Sequence, residues 1–176
     1  QRPIDGLVDL SNFVMLDLGQ PNHVFDLAEV PGGIVVREAS EPCSFTTLDG
    51  EERALQSGDP LVCSAEQPVA LAGIMGGLDS RVGETGSRRL LEVATFHPAT
   101  VRPTSSRLGL RTDSSARFEK HLDPTLPAKA LAHFAPLLGV WQPYVSLPAA
   151  STDCGDWTDP AMDIQLFFYY SPSIFL

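Results

Sequence analysis

A single acid in the run Leu90-Leu91-Glu92-Val93-Ala94-Thr95-Phe96 is the feature of this sequence that most invites chemistry. Both faces of such a strand are largely apolar, and an ionised carboxylate there is costly unless paired or hydrogen-bonded. Two readings follow. Glu92 is a structural ion-pair partner for a nearby arginine, or it stands in a pocket wall and accepts a hydrogen bond from a ligand hydroxyl. Ser11 and Asn12 pose the same choice, as a polar pair between Val8-Asp9-Leu10 and Phe13-Val14-Met15-Leu16. They are a surface or helix-bending feature, or part of a site. His23 follows the Gly19-Gln20-Pro21 turn and is expected on a loop, either merely exposed or free for acid–base work. Ala72-Gly73-Ile74-Met75-Gly76-Gly77 carries three glycines, which suit a tight turn or a close approach of backbone to a ligand. It is no phosphate loop, since neither GxxxxGK[ST] nor GxGxxG occurs.

The chain that must position these residues has 176 residues, 43% hydrophobic and 19% charged. That composition excludes collagen-like, low-complexity and disordered acidic chains, and one domain with its own core is expected at this length. Twelve Lys plus Arg against 22 Asp plus Glu leave a charge of −10, so the chain as a whole is not an electrostatic nucleic-acid binder. Its one basic stretch, Arg102 to Lys120, holds five cationic and two acidic side chains, net +3. That stretch is a phosphate-contacting patch or an ordinary solvated face. Cys43, Cys63 and Cys154 are isolated, make no zinc pattern, and fit a reducing, cytoplasmic setting. No metal site and no membrane span are expected, and the chain reads as a piece of a longer one.

The elements read as a helix from Asp5 to Leu18, then strands at Gly33–Arg37, Ser44–Leu48 and Glu52–Leu55. Asp49-Gly50 is expected as a hairpin turn with both residues at positive φ. Further strands are expected at Leu61–Ser64, Val69–Met75 and Leu90–Phe96. A helix starts at Pro98, to be kinked or shortened by Pro103, and a last one runs from Asp123-Pro124 to about Gly139. Locally paired strands flanked by helices define an α+β fold with an antiparallel, barrel-like β core. All Trp and Tyr lie after residue 140, so residues 1–139 read as one domain, 140–160 as a linker, and 161–176 as the start of a next small domain.

Several strings taken together are more specific than any single residue. They are Val8-Asp9-Leu10-Ser11-Asn12-Phe13-Val14-Met15-Leu16, Leu18-Gly19-Gln20-Pro21-Asn22-His23-Val24-Phe25-Asp26, Thr47-Leu48-Asp49-Gly50, and Pro68 through Gly77. Leu90-Leu91-Glu92 and Arg107-Leu108-Gly109-Leu110-Arg111-Thr112-Asp113-Ser114-Ser115-Ala116-Arg117-Phe118-Glu119 complete them. Over residues 2–139 the sequence resembles the central editing domain of the bacterial-type phenylalanyl-tRNA synthetase beta subunit.

The resemblance implies hydrolysis of tyrosine wrongly attached to the phenylalanine tRNA. It makes Glu92 the carboxylate that recognises the tyrosine hydroxyl, and places Asn12 and His23 near the scissile ester. Gly73 and Gly76 fall on the turn lining the pocket, Thr112 and Ser114 on its other wall, and Ser11 joins the substrate contacts. His23 either assists proton transfer or binds the terminal adenosine. The partners implied are the acceptor end of tRNA(Phe) and an alpha subunit, in a heterotetramer of two alpha and two beta. ATP and Mg serve the full synthetase, with no cofactor in this stretch. Ser114 stands where the family usually has alanine, and Pro103 where a helix-continuing residue is usual. Asn22 and His97 also depart from the usual residues. The opposing possibilities are a structural or tRNA-positioning module without editing, and a free-standing deacylase.

Overall fold

Gly19, at φ +74°, ends α1 (Gly6–Leu18) by donating its N–H to the Met15 carbonyl at 2.9 Å. This left-handed closure is one glycine accepts without cost. The computed structural model describes residues 6–31, 33–80, 89–137 and 164–170. After α1 come β1 (Asn22–Asp26), β2 (Val35–Glu38), β3 (Cys43–Thr46), β4 (Glu52–Leu55), β5 (Pro60–Ser64), β6 (Gln67–Leu71) and β7 (Met75–Gly76). Then follow β8 (Arg89–Thr95), α2 (Pro98–Leu108), α3 (Ser115–Phe118), α4 (Leu126–Leu137) and β9 (Ile164–Tyr170).

The architecture is α+β, with three sheets and no closed barrel among the described residues: β1-β8-β9, β2-β5-β6-β7 and β3-β4. All strand pairs are antiparallel except β8 with β9. The unbroken apolar run of β8 is explained by burial on both sides. Leu91 and Val93 join Val24 beneath Val14 of α1 and Ala130, Leu131 and Phe134 of α4. Leu90 and Ala94 join Phe25 in the larger core, with Ile34, Leu61, Leu71 and Ile74. Successive side chains of a strand alternate faces, so Glu92 falls on the side of the larger core.

Several expectations change. His23 lies in a strand, not a loop, because residues 22–26 pair with β8 across more than sixty residues of chain, a partnership no local pattern announces. The run Val69–Met75 is two strands: the chain turns at Ala72-Gly73-Ile74, with Gly73 at φ +70° and the Ile74 N–H on the Leu71 carbonyl at 3.0 Å. At Asp49-Gly50 only Gly50 takes positive φ. Asp49 accepts instead from the Thr47 hydroxyl (2.6 Å) and the Glu51 N–H (3.1 Å), making a longer, side-chain-braced loop. Finally, α2 runs through Pro103 to Leu108 unshortened, since Pro103 is exposed and the carbonyl it leaves free can bond to water. His97 caps that helix through Nδ1, which accepts the Ala99 N–H at 3.1 Å.

The expected last helix starts later, at Leu126. Asp123-Pro124 forms the turn before it, with the Thr125 N–H on the Asp123 carboxylate at 2.9 Å. The expected linker at 140–160 lies outside the described residues, and residues 164–170 add β9 parallel to β8.

The four arginines of the basic stretch make internal bonds, while Lys120 is exposed. Arg111 pairs with Glu119 at 3.0 Å, Arg117 with Asp113 at 3.1 Å, and Arg102 donates to the Glu119 carbonyl. Arg107 pairs with Asp59, which also accepts from the Thr104 hydroxyl (2.8 Å) and the Gln56 N–H (2.7 Å). Burial alone would raise the Asp59 pKa, but these donors outweigh it and hold the carboxyl below its ordinary value. Its contribution to stability is therefore full above the unfolded carboxylate pKa and is lost as pH falls through the lower folded value. Asp59→Ala is expected to cost about 2 kcal/mol in urea unfolding, because buried donors lose their acceptor. Glu66→Ala, at the exposed pair with Arg37 (2.6 Å), should leave the midpoint essentially unmoved.

Candidate functional site

Register fixes the site before any side chain is considered. β1 and β8 pair Asn22 with Val93, His23 with Glu92, Val24 with Leu91, Phe25 with Leu90 and Asp26 with Arg89. His23 and Glu92 are thus direct cross-strand neighbours on the face toward the larger core. The glycine turn between β6 and β7 closes over them. A Cβ on Gly76 would lie 2.7 Å from Cε1 and 2.8 Å from Nε2 of His23, and one on Gly73 would meet the Phe96 ring at 2.9 Å. Only glycine allows the turn to come this near. Phe96 and Phe118 pack edge to face at 5.1 Å behind Gly73.

The result is a cleft whose walls include His23, Gly73, Gly76, Glu92, Phe96 and Ser114. Its empty space, counted to the open mouth, is about 360 Å³. Five residues singled out from the sequence meet in this cleft: His23, Gly73, Gly76, Glu92 and Ser114.

The other three stand behind it. Ser11 is buried and its hydroxyl donates to Asn22 Oδ1 at 2.6 Å, so it braces the start of β1. Asn12 is half-buried at the next position of α1, and its side chain makes no hydrogen bond among the described residues. Thr112 donates to the Ile74 carbonyl at 2.7 Å and accepts the Ser115 N–H at 3.0 Å. It ties the glycine turn to the loop carrying Ser114, whose hydroxyl faces Met15 Sδ at 3.9 Å. The aromatic pair Phe96 and Phe118 was not among the sequence candidates; no spacing relates two phenylalanines that meet only through the fold.

Glu92 is 6% exposed, and its carboxyl makes no ion pair or hydrogen bond among the described residues. The ion-pair reading of Glu92 is therefore overturned: Arg89, three positions earlier in the strand, bonds Asp26 at 3.1 Å. Without a partner, burial pushes the Glu92 carboxyl up to about 8, so it carries a proton at neutral pH. Burial acts oppositely on His23, lowering it to about 4 and keeping the imidazole neutral. His23 is half-buried as a residue, but its Nε2 end is enclosed and unbonded, while the ring packs edge-on against Phe25 at 4.5 Å. The cleft thus offers an uncharged carboxyl able to donate and accept, a neutral imidazole, and glycine backbone close at hand. Among the described residues no three His, Cys, Asp or Glu side chains come together to hold a metal, and no helix is long and apolar enough to cross a membrane.

Fold and cleft together define an α+β domain whose two-strand ladder and glycine turn enclose a largely uncharged cleft. The chain belongs to the B3/4 domain family, whose model matches residues 1–139. Its curated relatives include proteins named phenylalanine–tRNA ligase beta subunit. That of Oleidesulfovibrio alaskensis is 46% identical over 138 residues, that of Nitratidesulfovibrio vulgaris 44%, and that of Halalkalibacterium halodurans 47%. In each case the match covers 78% of this chain and 17% of the relative.

The unfolded Glu92 carboxyl ionises near 4.5, whereas the folded one holds its proton to about 8. Stability is thus unaffected below the lower value and falls as pH rises between the two. Glu92→Gln, which cannot ionise, is expected to stabilise the chain by on the order of 3 kcal/mol at pH 7. The gain should vanish by pH 4, as read from urea midpoints across that range.

Proposed function

We propose that this domain is the editing module of a phenylalanine–tRNA ligase beta subunit and hydrolyses tyrosine from mischarged tRNA(Phe). The observation that carries the proposal is Glu92: a buried, unpartnered carboxyl in the wall of a cleft beside the His23 imidazole and the glycine turn. A tyrosine hydroxyl supplies the donor and acceptor that this carboxyl lacks. Phenylalanine would cover Glu92 and leave it unbonded, at a cost of about 1–3 kcal/mol for each unsatisfied group. Sites built to bond a hydroxyl disfavour the analogue without it by about four to five orders of magnitude. An apolar synthetic pocket rejects the extra hydroxyl far more weakly, which is the need a second site answers.

The chemistry is hydrolysis of an ester by a positioned water. Water oxygen attacks the carbonyl carbon, the tetrahedral oxyanion collapses, and the bond to the ribose oxygen breaks. The departing ribose oxygen takes up a proton from the attacking water and becomes the free hydroxyl, releasing tyrosine and the free tRNA end. Seating the ring against Glu92 orients the ester toward the cleft mouth, and polar groups fixed there would stabilise the oxyanion without reorganising. Neutral His23, within the cleft, is the side chain assigned to the ester or the terminal adenosine, while Ser11 on α1 braces the strand that carries it. Thr112 and Ser114 shape the opposite wall.

The rest of the ligase belongs to the same proposal: an alpha subunit in a heterotetramer of two alpha and two beta, a cytoplasmic setting, and amino-acid activation with ATP and Mg. The cleft does not suit ATP or Mg, because Glu92 has no second carboxylate beside it and no cationic side chain lines the wall. No step here runs through them.

Glu92→Ala tests the reading in an assay of amino-acid release from tyrosyl- and phenylalanyl-tRNA(Phe). The parent is expected to release tyrosine at least about a hundredfold faster than phenylalanine, the rate difference expected from roughly 3 kcal/mol. The variant should lose that preference while remaining folded. Equal, slow release of both by the folded parent would support a structural or tRNA-positioning module instead.

A further inference from the structure

We propose that Gln20 is a positioning residue for the cleft: its carboxamide replaces the N–H that Pro21 lacks and so sets the register holding His23 opposite Glu92. The ladder of β1 and β8 pairs Asn22 with Val93, and the next step outward brings Pro21 to Ala94. The Ala94 carbonyl turned toward this strand is one that an N–H at a hydrogen-bonded ladder position would fill, but proline has none. Gln20 Nε2 donates to the Ala94 carbonyl at 2.8 Å and to the Pro21 carbonyl at 2.8 Å. Gln20 is wholly buried, so no water competes for either acceptor.

This end of the ladder matters because nothing local sets its register. In a hairpin the turn fixes which residues face each other. Here Asp26 and Arg89 are 63 residues apart along the chain, and no turn joins the strands. A slip by one residue would carry His23 to the opposite face of the sheet, toward α1 and α4. The register is pinned at its two ends instead. Gln20 holds one, and the largely buried ion pair between Asp26 and Arg89 (3.1 Å) holds the other. Ser11 adds to the first pin by bonding Asn22 at 2.6 Å.

The test is made on the 176-residue chain with Gln20→Met, which keeps the side chain's length and removes both donations, and with Gln20→Met combined with Pro21→Ala, which supplies a backbone N–H at residue 21. The readouts are the His23 imidazole resonances and the rate of tyrosine release from tyrosyl-tRNA(Phe). Only the release arm rests on the editing function; the resonances report the register whether or not the parent hydrolyses anything. Gln20→Met is expected to shift the His23 resonances and slow release at least about tenfold, about 1.4 kcal/mol in barrier. The double variant should return both to near the parent values. Should Gln20→Met fail to fold, recovery of a folded chain on adding Pro21→Ala supports the proposal equally. Unmoved His23 resonances in a folded Gln20→Met chain, or a double variant that recovers nothing, would overturn it.

Discussion

The pairing of β1 with β8 is the constraint on which the site depends. It is a long-range antiparallel contact, and it alone makes neighbours of an imidazole and a carboxyl that lie 69 residues apart in the numbering of this chain. Every other component of the cleft is arranged around that pair. The glycine turn comes close because neither Gly73 nor Gly76 has a side chain to hold it off. Thr112 fastens that turn to the loop bearing Ser114. The helices α1 and α4 cover the sheet's far side and leave the near side to the cleft.

Electrostatics and packing reinforce one another in this arrangement. A buried carboxyl and a buried imidazole could satisfy each other as an ion pair, yet no bond joins His23 and Glu92. Each is pushed by burial toward its neutral form, so the cleft is uncharged where a ligand would enter. A neutral cleft accepts an aromatic ring without the desolvation cost of a fixed charge, while keeping the carboxyl available for a hydroxyl. The ion pairs of the domain, such as Arg107 with Asp59 and Arg89 with Asp26, lie among structural contacts instead.

Much of this was legible in the sequence, for identifiable reasons. Glu92 announced itself because an acid in an apolar strand is costly wherever the strand goes. The glycines of 73–77 marked a close backbone approach, and α1 ended where Gly19 said it would. What stayed hidden was non-local. His23 read as a loop residue since its strand partner lies far along the chain, and the choice between an ion pair and a pocket for Glu92 required knowing that Arg89 turns to Asp26. Gln20 gave no signal at all, because its role exists only once Pro21 is seen facing Ala94. The strand break at Ala72-Gly73-Ile74 was obscured by apolar residues on both sides of the turn.

The most direct measurement is a crystal structure of this chain with a non-hydrolysable tyrosyl-adenosine amide in the cleft. The phenolic oxygen should lie about 2.5–3.0 Å from a Glu92 carboxyl oxygen, with the ring between Phe96 and the glycine turn and the amide at the cleft mouth. A ligand seated with its phenol toward solvent and Glu92 still unbonded would contradict the assignment of Glu92 as the group that reads the hydroxyl.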